Sequence, residues 1–252
     1  DVNTGAGSNA TFNGDVTTDG SLDITGVGGS MVLAEGDGQT MVFTLGDDFL
    51  GANIAITATN ANAEDLDIDA DGSVTLGAVD LDGATTDGDL TVQVDADDDG
   101  TETLTVGGAI TNVALATFAG GGTGTNDTLD FNANVTTTNG ALTLQDAATV
   151  NVGAVTLTGQ TNFVATDDIG AINLDGAGTV SFVGTTGSVS IGANITDSAA
   201  ITELDITAGT TASLPAITLN NGGTGLIDVN TGAGSNATFN GDVTTDGSLD
   251  IT

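Results

Sequence analysis

The sequence lacks lysine, arginine, histidine, cysteine, tryptophan and tyrosine, and Pro215 is its single proline. Without cysteine, the chain forms neither a disulfide nor a thiolate metal site. Only carboxylates and hydroxyls remain as general bases or nucleophiles. We therefore expect no enzymatic activity. A polysaccharide hydrolase that uses only carboxylates is a remote alternative, since two acids suffice for that reaction.

The absence of basic residues also limits the partners. No side chain can neutralise a phosphate, so binding to nucleic acid is not expected. No apolar run is long enough to cross a bilayer, and membrane insertion is not expected either. The eight phenylalanines are the only aromatic residues, so few side chains are suited to stacking on a sugar.

The residues that are present combine strong acidity with an alternating apolar pattern. The 252 residues include 35 acids and have a formal charge of −35, which alone would favour disorder. However, 38% of the residues are hydrophobic, and segments such as 65–76 and 89–94 place Val, Ile or Leu at every second position. A period of two indicates β-strands. We expect an ordered all-β protein with no helices.

The chain contains the same 25 residues twice. Residues 1–25, DVNTGAGSNATFNGDVTTDGSLDIT, return unchanged at 228–252, so Asp1 matches Asp228 and Thr25 matches Thr252. The offset is 228 − 1 = 227 residues. A repeat of this kind outweighs other sequence signals. We interpret 1–227 as one unit and 228–252 as the start of the next copy, continuous with the same fold.

A short apolar–Gly/Asn/Ala–Val/Ile phrase recurs along the unit. It ends at Val16, Ile54, Val79, Ile110, Val135, Val155, Ile172, Ile195, Ile217 and Val243. If the longest interval, 54 − 16 = 38 residues, contains two turns, the 227-residue unit has about ten coils. A β-sandwich would need a linker after about 100 residues, and none is visible. The sequence therefore predicts a parallel β-helix, or β-solenoid.

Phrases such as GALTLQDAATVNVGAVTLTG (140–159) and GSVSIGANITDSAAITELDITAG (187–209) resemble extracellular β-solenoid repeat proteins of prokaryotes. These include filamentous-haemagglutinin-like and autotransporter-like adhesins and giant repeat-rich surface proteins. The resemblance implies an elongated protein that is secreted or held at the cell surface. It also implies a role in adhesion, matrix formation or surface coating.

The acidity indicates either a solvated surface that keeps the protein soluble or a protein that binds cations. One unit holds 35 − 4 = 31 acids, and ten coils at about 4.8 Å place roughly one charge on every 1.5 Å of axis. Duplex DNA carries about one per 1.7 Å. Two runs, Asp67-Ile-Asp69-Ala-Asp71-Gly and Asp95-Ala-Asp97-Asp-Asp99-Gly, match the opening of a calcium loop but lack its final Glu. We expect Ca²⁺ at Asp95, Asp97 and Asp99, or at Asp67, Asp69 and Asp71.

Two further motifs are weaker. Segment 121–131, GGTGTNDTLDF, resembles the calcium-binding RTX nonapeptide with Thr125 added, but 222–229 is only a partial second copy. Because that motif works through successive copies, we interpret 121–131 as a glycine-rich turn. Asn-x-Ser/Thr glycosylation sequons begin at Asn9, Asn126, Asn134, Asn194 and Asn236.

These features favour a structural role. Neither end of the sequence carries a cap, and an open strand edge invites pairing with another strand. We expect copies of the unit to stack end to end, at Asp1–Thr25 and Asp228–Thr252, as an extracellular filament. The alternative is an adhesin or stalk whose partner is a glycan or another cell-surface ligand.

Overall fold

The structure, a computed structural model, describes residues 1–4, 7–26, 29–34, 39–51, 55–58, 64–83, 86–97, 100–121 and 126–252. In these ranges the chain forms 29 β-strands and no helix, and the strands pair in parallel from turn to turn. No helix that could cross a membrane occurs among the described residues. The predicted β-solenoid is confirmed.

The solenoid has three faces, each a stack of strands from successive turns. Face A contains β1 (Val2–Thr4), β4 (Leu22–Gly26), β7 (Phe49–Gly51), β10 (Val74–Leu76), β13 (Thr103–Val106), β15 (Thr128–Phe131), β22 (Asn194–Asp197), β25 (Ile217–Leu219) and β28 (Val243–Thr245). Face B contains β2 (Ala10–Phe12), β5 (Ser30–Leu33), β8 (Ala55–Ala58), β11 (Val79–Asp80), β16 (Val135–Thr137), β18 (Thr156–Gly159), β20 (Gly178–Gly184), β23 (Ile201–Ala208), β26 (Leu226–Thr231) and β29 (Leu249–Ile251).

Face C contains β3 (Val16–Thr18), β6 (Thr40–Leu45), β9 (Asp65–Ala70), β12 (Gly88–Gln93), β21 (Val189–Ile191), β24 (Ala212–Leu214) and β27 (Ala237–Phe239). Three longer strands turn a corner between faces. They are β14 (Ile110–Ala119), from face B to face C, and β17 (Leu142–Val152) and β19 (Phe163–Leu174), from face C to face A.

The core fills the space between the three faces. In β9, Leu66, Ile68 and Ala70 are buried, whereas the intervening aspartates lie on the outside, as the alternation predicts. In-register pairing then stacks apolar residues along the axis. The row on face A runs through Phe49, Val74, Leu104, Leu129, Val150, Ile172, Ile195 and Ile217. Each such side chain contributes about 1.5–3 kcal/mol by leaving water.

The two copies of the duplicated segment lie on different faces. Val2 pairs with Ile24 on face A, and its match Val229 pairs with Ile251 on face B in the same register. Nine successive pairings on face A lead from β1 to β25, and β26 follows on face B. The 227-residue offset therefore spans nine turns and one further face, close to the ten turns expected.

Candidate cation site and candidate assembly surfaces

Three acidic side chains from two adjacent turns meet near one corner of the solenoid. Carboxylate oxygens of Asp95, Glu102 and Asp127 all lie within 4.8 Å of one another. Asp95 and Asp127 are completely buried, and Glu102 is half-buried. We call these three residues the carboxylate cluster.

Backbone N–H groups orient the cluster. The N–H groups of Glu102 and Gly121 donate to the two carboxylate oxygens of Asp127, at 2.9 and 2.7 Å. The N–H of Gly100 donates to Asp95 at 3.3 Å. Gly121 has to be glycine, because a Cβ there would lie 2.7 Å from both the carbonyl oxygen and a carboxylate oxygen of Asp95.

The cluster has the chemistry of a site for a hard cation. No lysine, arginine or histidine exists in the chain to neutralise it. Calcium takes oxygen ligands at about 2.3–2.6 Å, so ligands on opposite sides of one ion lie about 5 Å apart. The spacing of the three carboxylates falls within that span, and three oxygen donors suit Ca²⁺ or Mg²⁺ rather than zinc.

The structure brings together only part of the predicted Asp95–Asp99 site. Asp95 lies in the cluster, but Asp97 is exposed and belongs to no strand. Asp99 lies outside the described residues. Of the three predicted residues, only Asp95 belongs to the cluster, together with Glu102 and Asp127, which the calcium-loop pattern does not include.

The other predicted run, Asp67, Asp69 and Asp71, lies along an outer surface. Asp67 and Asp69 project from face C on β9, and Asp71 follows the strand. Partial burial raises the pKa of Asp67, and the neighbouring charge of Asp69 raises it further. Burial likewise raises the pKa of Asp69. These carboxyls favour protonation more than an ordinary aspartate does, and they lie in a row rather than around one point.

A row of aspartates also runs along face B. Asp205, Asp228 and Asp250 occupy the same position in β23, β26 and β29, paired in register from turn to turn. Adjacent strands lie about 4.8 Å apart, so the carboxylates of successive turns repel one another. Asp228 also accepts a hydrogen bond from the side-chain amide of Asn230 at 3.1 Å.

The residues that delimit the duplicated segment lie at the two ends of the solenoid. Asp1 is exposed before β1, and Thr25 pairs with Asn3. Asp228 lies in β26, and the N–H of Thr252 donates to the carbonyl of Val229 at 3.0 Å. Both copies thus join the parallel stack.

The end formed by β27, β28 and β29 exposes aliphatic side chains. Ile251 is 50% exposed, whereas the matching Ile24 is 1% exposed. In the described part of the chain the large exposed hydrophobic residues are Leu50, Leu249 and Ile251, and the last two both belong to this end. The same residues are therefore buried in one copy and exposed in the other.

All five sequons present their asparagines at the surface. The five are Asn9, Asn126, Asn134, Asn194 and Asn236. Two of the asparagines also form hydrogen bonds to the next turn. The side-chain oxygen of Asn9 accepts from the N–H of Ser30 at 3.1 Å, and that of Asn134 accepts from the N–H of Thr156 at 2.9 Å. Glycosylation at these positions stays a prediction.

Glu102 and Asp127 were not selected from the sequence. Asp127 lies within the segment that resembles the RTX nonapeptide, which we interpret as a glycine-rich turn. It follows Glu102 by 25 residues, about one turn of the solenoid. The spacing of these two acids by one turn was the available signal.

Comparisons with protein-family models, with curated proteins and with solved structures found no match.

Proposed function

We propose that this chain is a repeat unit of a long, acidic filament outside the cell, which grows by end-to-end stacking of β-coils and holds divalent cations. Its role is structural rather than catalytic. The extracellular setting rests on the resemblance to surface β-solenoid proteins and on the acidic composition.

The observation that carries the proposal is that both copies of the 25-residue segment join one parallel stack in the same register. Val2 pairs with Ile24 in the first copy and Val229 pairs with Ile251 in the second, so the solenoid passes from one unit into the next copy without interruption. A parallel stack of this kind offers strand edges along its axis, and such edges favour association with a further strand. Contacts of this head-to-tail kind do not close into a ring when the units share an axis, so they build a filament.

The cations are proposed from charge. Stacking units that each hold 35 − 4 = 31 acids is opposed by their mutual repulsion, which salt and divalent ions relieve. The carboxylate cluster offers the best-formed position for such an ion, since two of its three acids are buried. We propose Ca²⁺ as its occupant.

A glycan-binding adhesin is less well supported. All eight phenylalanines belong to the core or pack against it, including the partly buried Phe12 and Phe239. Pairs such as Phe163 and Phe182, whose ring centroids are 4.9 Å apart, face each other in the interior. The chain has no other aromatic residue to form an external stacking surface.

The proposal is tested by mutating one exposed leucine at the end and another on the side. Leu249 is 43% exposed at the end, and Leu50 is 40% exposed on face A. Sedimentation velocity and electron microscopy in CaCl₂ should show elongated assemblies for the native chain and for Leu50→Asp, but shorter ones for Leu249→Asp. Circular dichroism would verify that both variants keep their β structure.

Two results would contradict the proposal. The native chain could remain monomeric at millimolar concentration with calcium and high salt. Alternatively, Leu50→Asp and Leu249→Asp could weaken assembly equally, which would indicate lateral rather than axial contacts.

A further inference from the structure

Four asparagines of the sequence directly precede a glycine, at 13–14, 139–140, 221–222 and 240–241. The first and last pairs belong to the duplicated segment, so the two unique pairs are Asn139-Gly140 and Asn221-Gly222. Each unique asparagine is exposed and lies two residues after a strand, β16 or β25. Both pairs have a turn of the solenoid before and after them along the axis, so their positions are comparable.

Gly140 is fixed through both of its backbone polar groups. Its N–H donates to the carbonyl of Ala114 at 2.6 Å. Its carbonyl accepts from the hydroxyl of Thr137 at 2.8 Å and from the N–H of Thr161 at 3.0 Å. A Cβ on Gly140 would lie 2.6 Å from the Cβ of Leu115, so the residue is also closely packed. The nitrogen of Gly140 therefore cannot turn without breaking these contacts.

Gly222 is held much less. It is exposed, and a Cβ built on it would meet nothing within 4 Å. Its φ is +86°, a conformation that glycine adopts without steric cost. Among the described residues, none accepts a hydrogen bond from its N–H. The side-chain amide of Asn221 donates to the carbonyl of Asp197 at 3.4 Å, which is long for a hydrogen bond.

We infer that Asn221 is a site of spontaneous deamidation, in which the main-chain nitrogen of Gly222 displaces the side-chain amide of Asn221. The N–H proton of Gly222 passes to water, the nitrogen attacks Cγ of Asn221, and the Cγ–Nδ2 bond breaks. The leaving nitrogen takes up a proton and departs as ammonia, and a cyclic succinimide remains. Water then opens the ring to aspartate or isoaspartate. The step consumes water, releases ammonia and involves no oxidation or reduction.

The product does not suit its surroundings. The carboxylate of Asp197 accepts the N–H groups of Asn220 and Asn221 at 3.0 and 3.1 Å, and this holds the turn to the preceding one. A carboxylate at position 221 cannot donate to the carbonyl of Asp197, and it repels the carboxylate of that residue. The chain has no cation to offset the added charge. Deamidation therefore weakens the contact between these two turns, whether or not the chain forms a filament.

Peptide mapping after prolonged incubation of the folded full chain at mildly alkaline pH tests the inference. An endoproteinase that cleaves before aspartate releases Asn221 in 205–227 and Asn139 in 130–145. Mass spectrometry then measures the conversion of amide to acid at each residue. We expect Asn221 to deamidate at least about fivefold faster than Asn139, since one net hydrogen bond to the attacking N–H corresponds to about this factor.

The same incubation in concentrated urea is the control. Both residues are followed by glycine, so their rates should become equal when the fold is lost. Equal rates in the folded chain, faster loss at Asn139, or protection of both residues by the fold would each overturn the inference. Asn221→Asp reproduces the aspartyl product and should melt at a lower temperature than Asn139→Asp. Equal melting temperatures would overturn the inferred weakening between the turns.

Discussion

Leu22 and Leu249 occupy the same position in two identical 25-residue segments, yet Leu22 is 7% exposed and Leu249 is 43% exposed. Leu22 is covered because it pairs with Phe49 of the next turn. Leu249 pairs with Ile227 of the preceding turn. The difference in burial therefore arises from the presence or absence of one neighbouring strand.

This pair provides a matched test of the stacking energy. Leu22→Ala should lower the free energy of unfolding by about 2–5 kcal/mol, because it leaves a cavity in the core. Leu249→Ala in the monomeric chain should cost less than about 1 kcal/mol, because its side chain is half in water. Urea denaturation at low protein concentration measures both. Because the two leucines lie in identical sequence, their local strand propensities cancel in the comparison. Equal losses of unfolding free energy would therefore mean that the next turn does not stabilise Leu22.

Removal of one cluster carboxylate should strongly reduce the stabilisation by calcium. We expect Ca²⁺ to raise the melting temperature of the native chain, since a ligand that binds only the folded state stabilises it by about 2.7 kcal/mol at one hundred times its Kd. Asp127→Asn should lose most of that increase. The amide keeps one of the two acceptor oxygens, so either the N–H of Glu102 or the N–H of Gly121 loses its partner, and circular dichroism verifies that the variant keeps its β structure.

Asp97→Asn is the control for this experiment. Asp97 lies near the cluster in sequence but is exposed. It removes the same charge, so it corrects for non-specific screening by the ion. Calcium stabilisation that is reduced equally in both variants would show that the ion acts on the overall charge rather than at the cluster.

The fold was predictable because alternation and repetition are local signals. The number of turns was harder to predict, because the recurring phrase moves from one face of the solenoid to another. It ends on face C at Val16, on face B at Val79 and on face A at Ile172. The phrase thus moves back by one face twice, and each move shortens the path around the axis by one third of a turn. Ten recurrences therefore correspond to nine and one third turns. This number cannot be deduced without knowing which strands pair.

The carboxylate cluster was only partly predictable for a related reason. Asp95 belongs to an acidic run, which composition reveals. Asp127 comes close to Glu102 because Thr103–Val106 and Thr128–Phe131 pair in register, which brings residues about 25 positions apart into neighbouring turns. The length of the intervening turn decides which acids meet, and the sequence pattern leaves that length open.

Acidification should stabilise this protein. Burial raises the pKa of Asp67, Asp69, Asp89 and Asp130 above the ordinary value of 3.8. Between 3.8 and these raised values the folded state binds more protons than the unfolded state, so the free energy of unfolding increases as the pH falls. Thermal denaturation between pH 7 and pH 4 measures the trend. A steady loss of stability over this range would contradict it.

Asp69→Asn isolates one contribution to this pH dependence. The charge of Asp69 is the second cause, after burial, of the raised pKa of Asp67. Its removal should lower the pKa of Asp67 towards 3.8 without restoring it, because the burial remains. Carboxyl carbon shifts in an NMR titration report the change. An unchanged pKa of Asp67 would show that the two carboxyls do not interact.

The aspartate row on face B should destabilise the solenoid through repulsion between turns. Asp228 lies between Asp205 and Asp250, and like charges directly opposite each other cost about 0.2–1 kcal/mol. Asp228→Asn should therefore raise the free energy of unfolding by up to about 1 kcal/mol at low salt. An amide can also bond along the stack, as the side chain of Asn173 does by donating to Asn151 at 3.0 Å.

Salt and a matched variant separate these two effects. At 1 M salt the Debye length is about 3 Å, so the repulsive part of the gain should disappear while any amide hydrogen bond persists. Asp1→Asn changes the matching residue of the first copy, which is exposed and outside the strands, and should leave stability unchanged. A loss of stability in Asp228→Asn at low salt would contradict the prediction. It would mean that an attraction between the carboxylates of the row outweighs their repulsion. A cation shared between turns would be the first candidate, and a calcium titration would examine it.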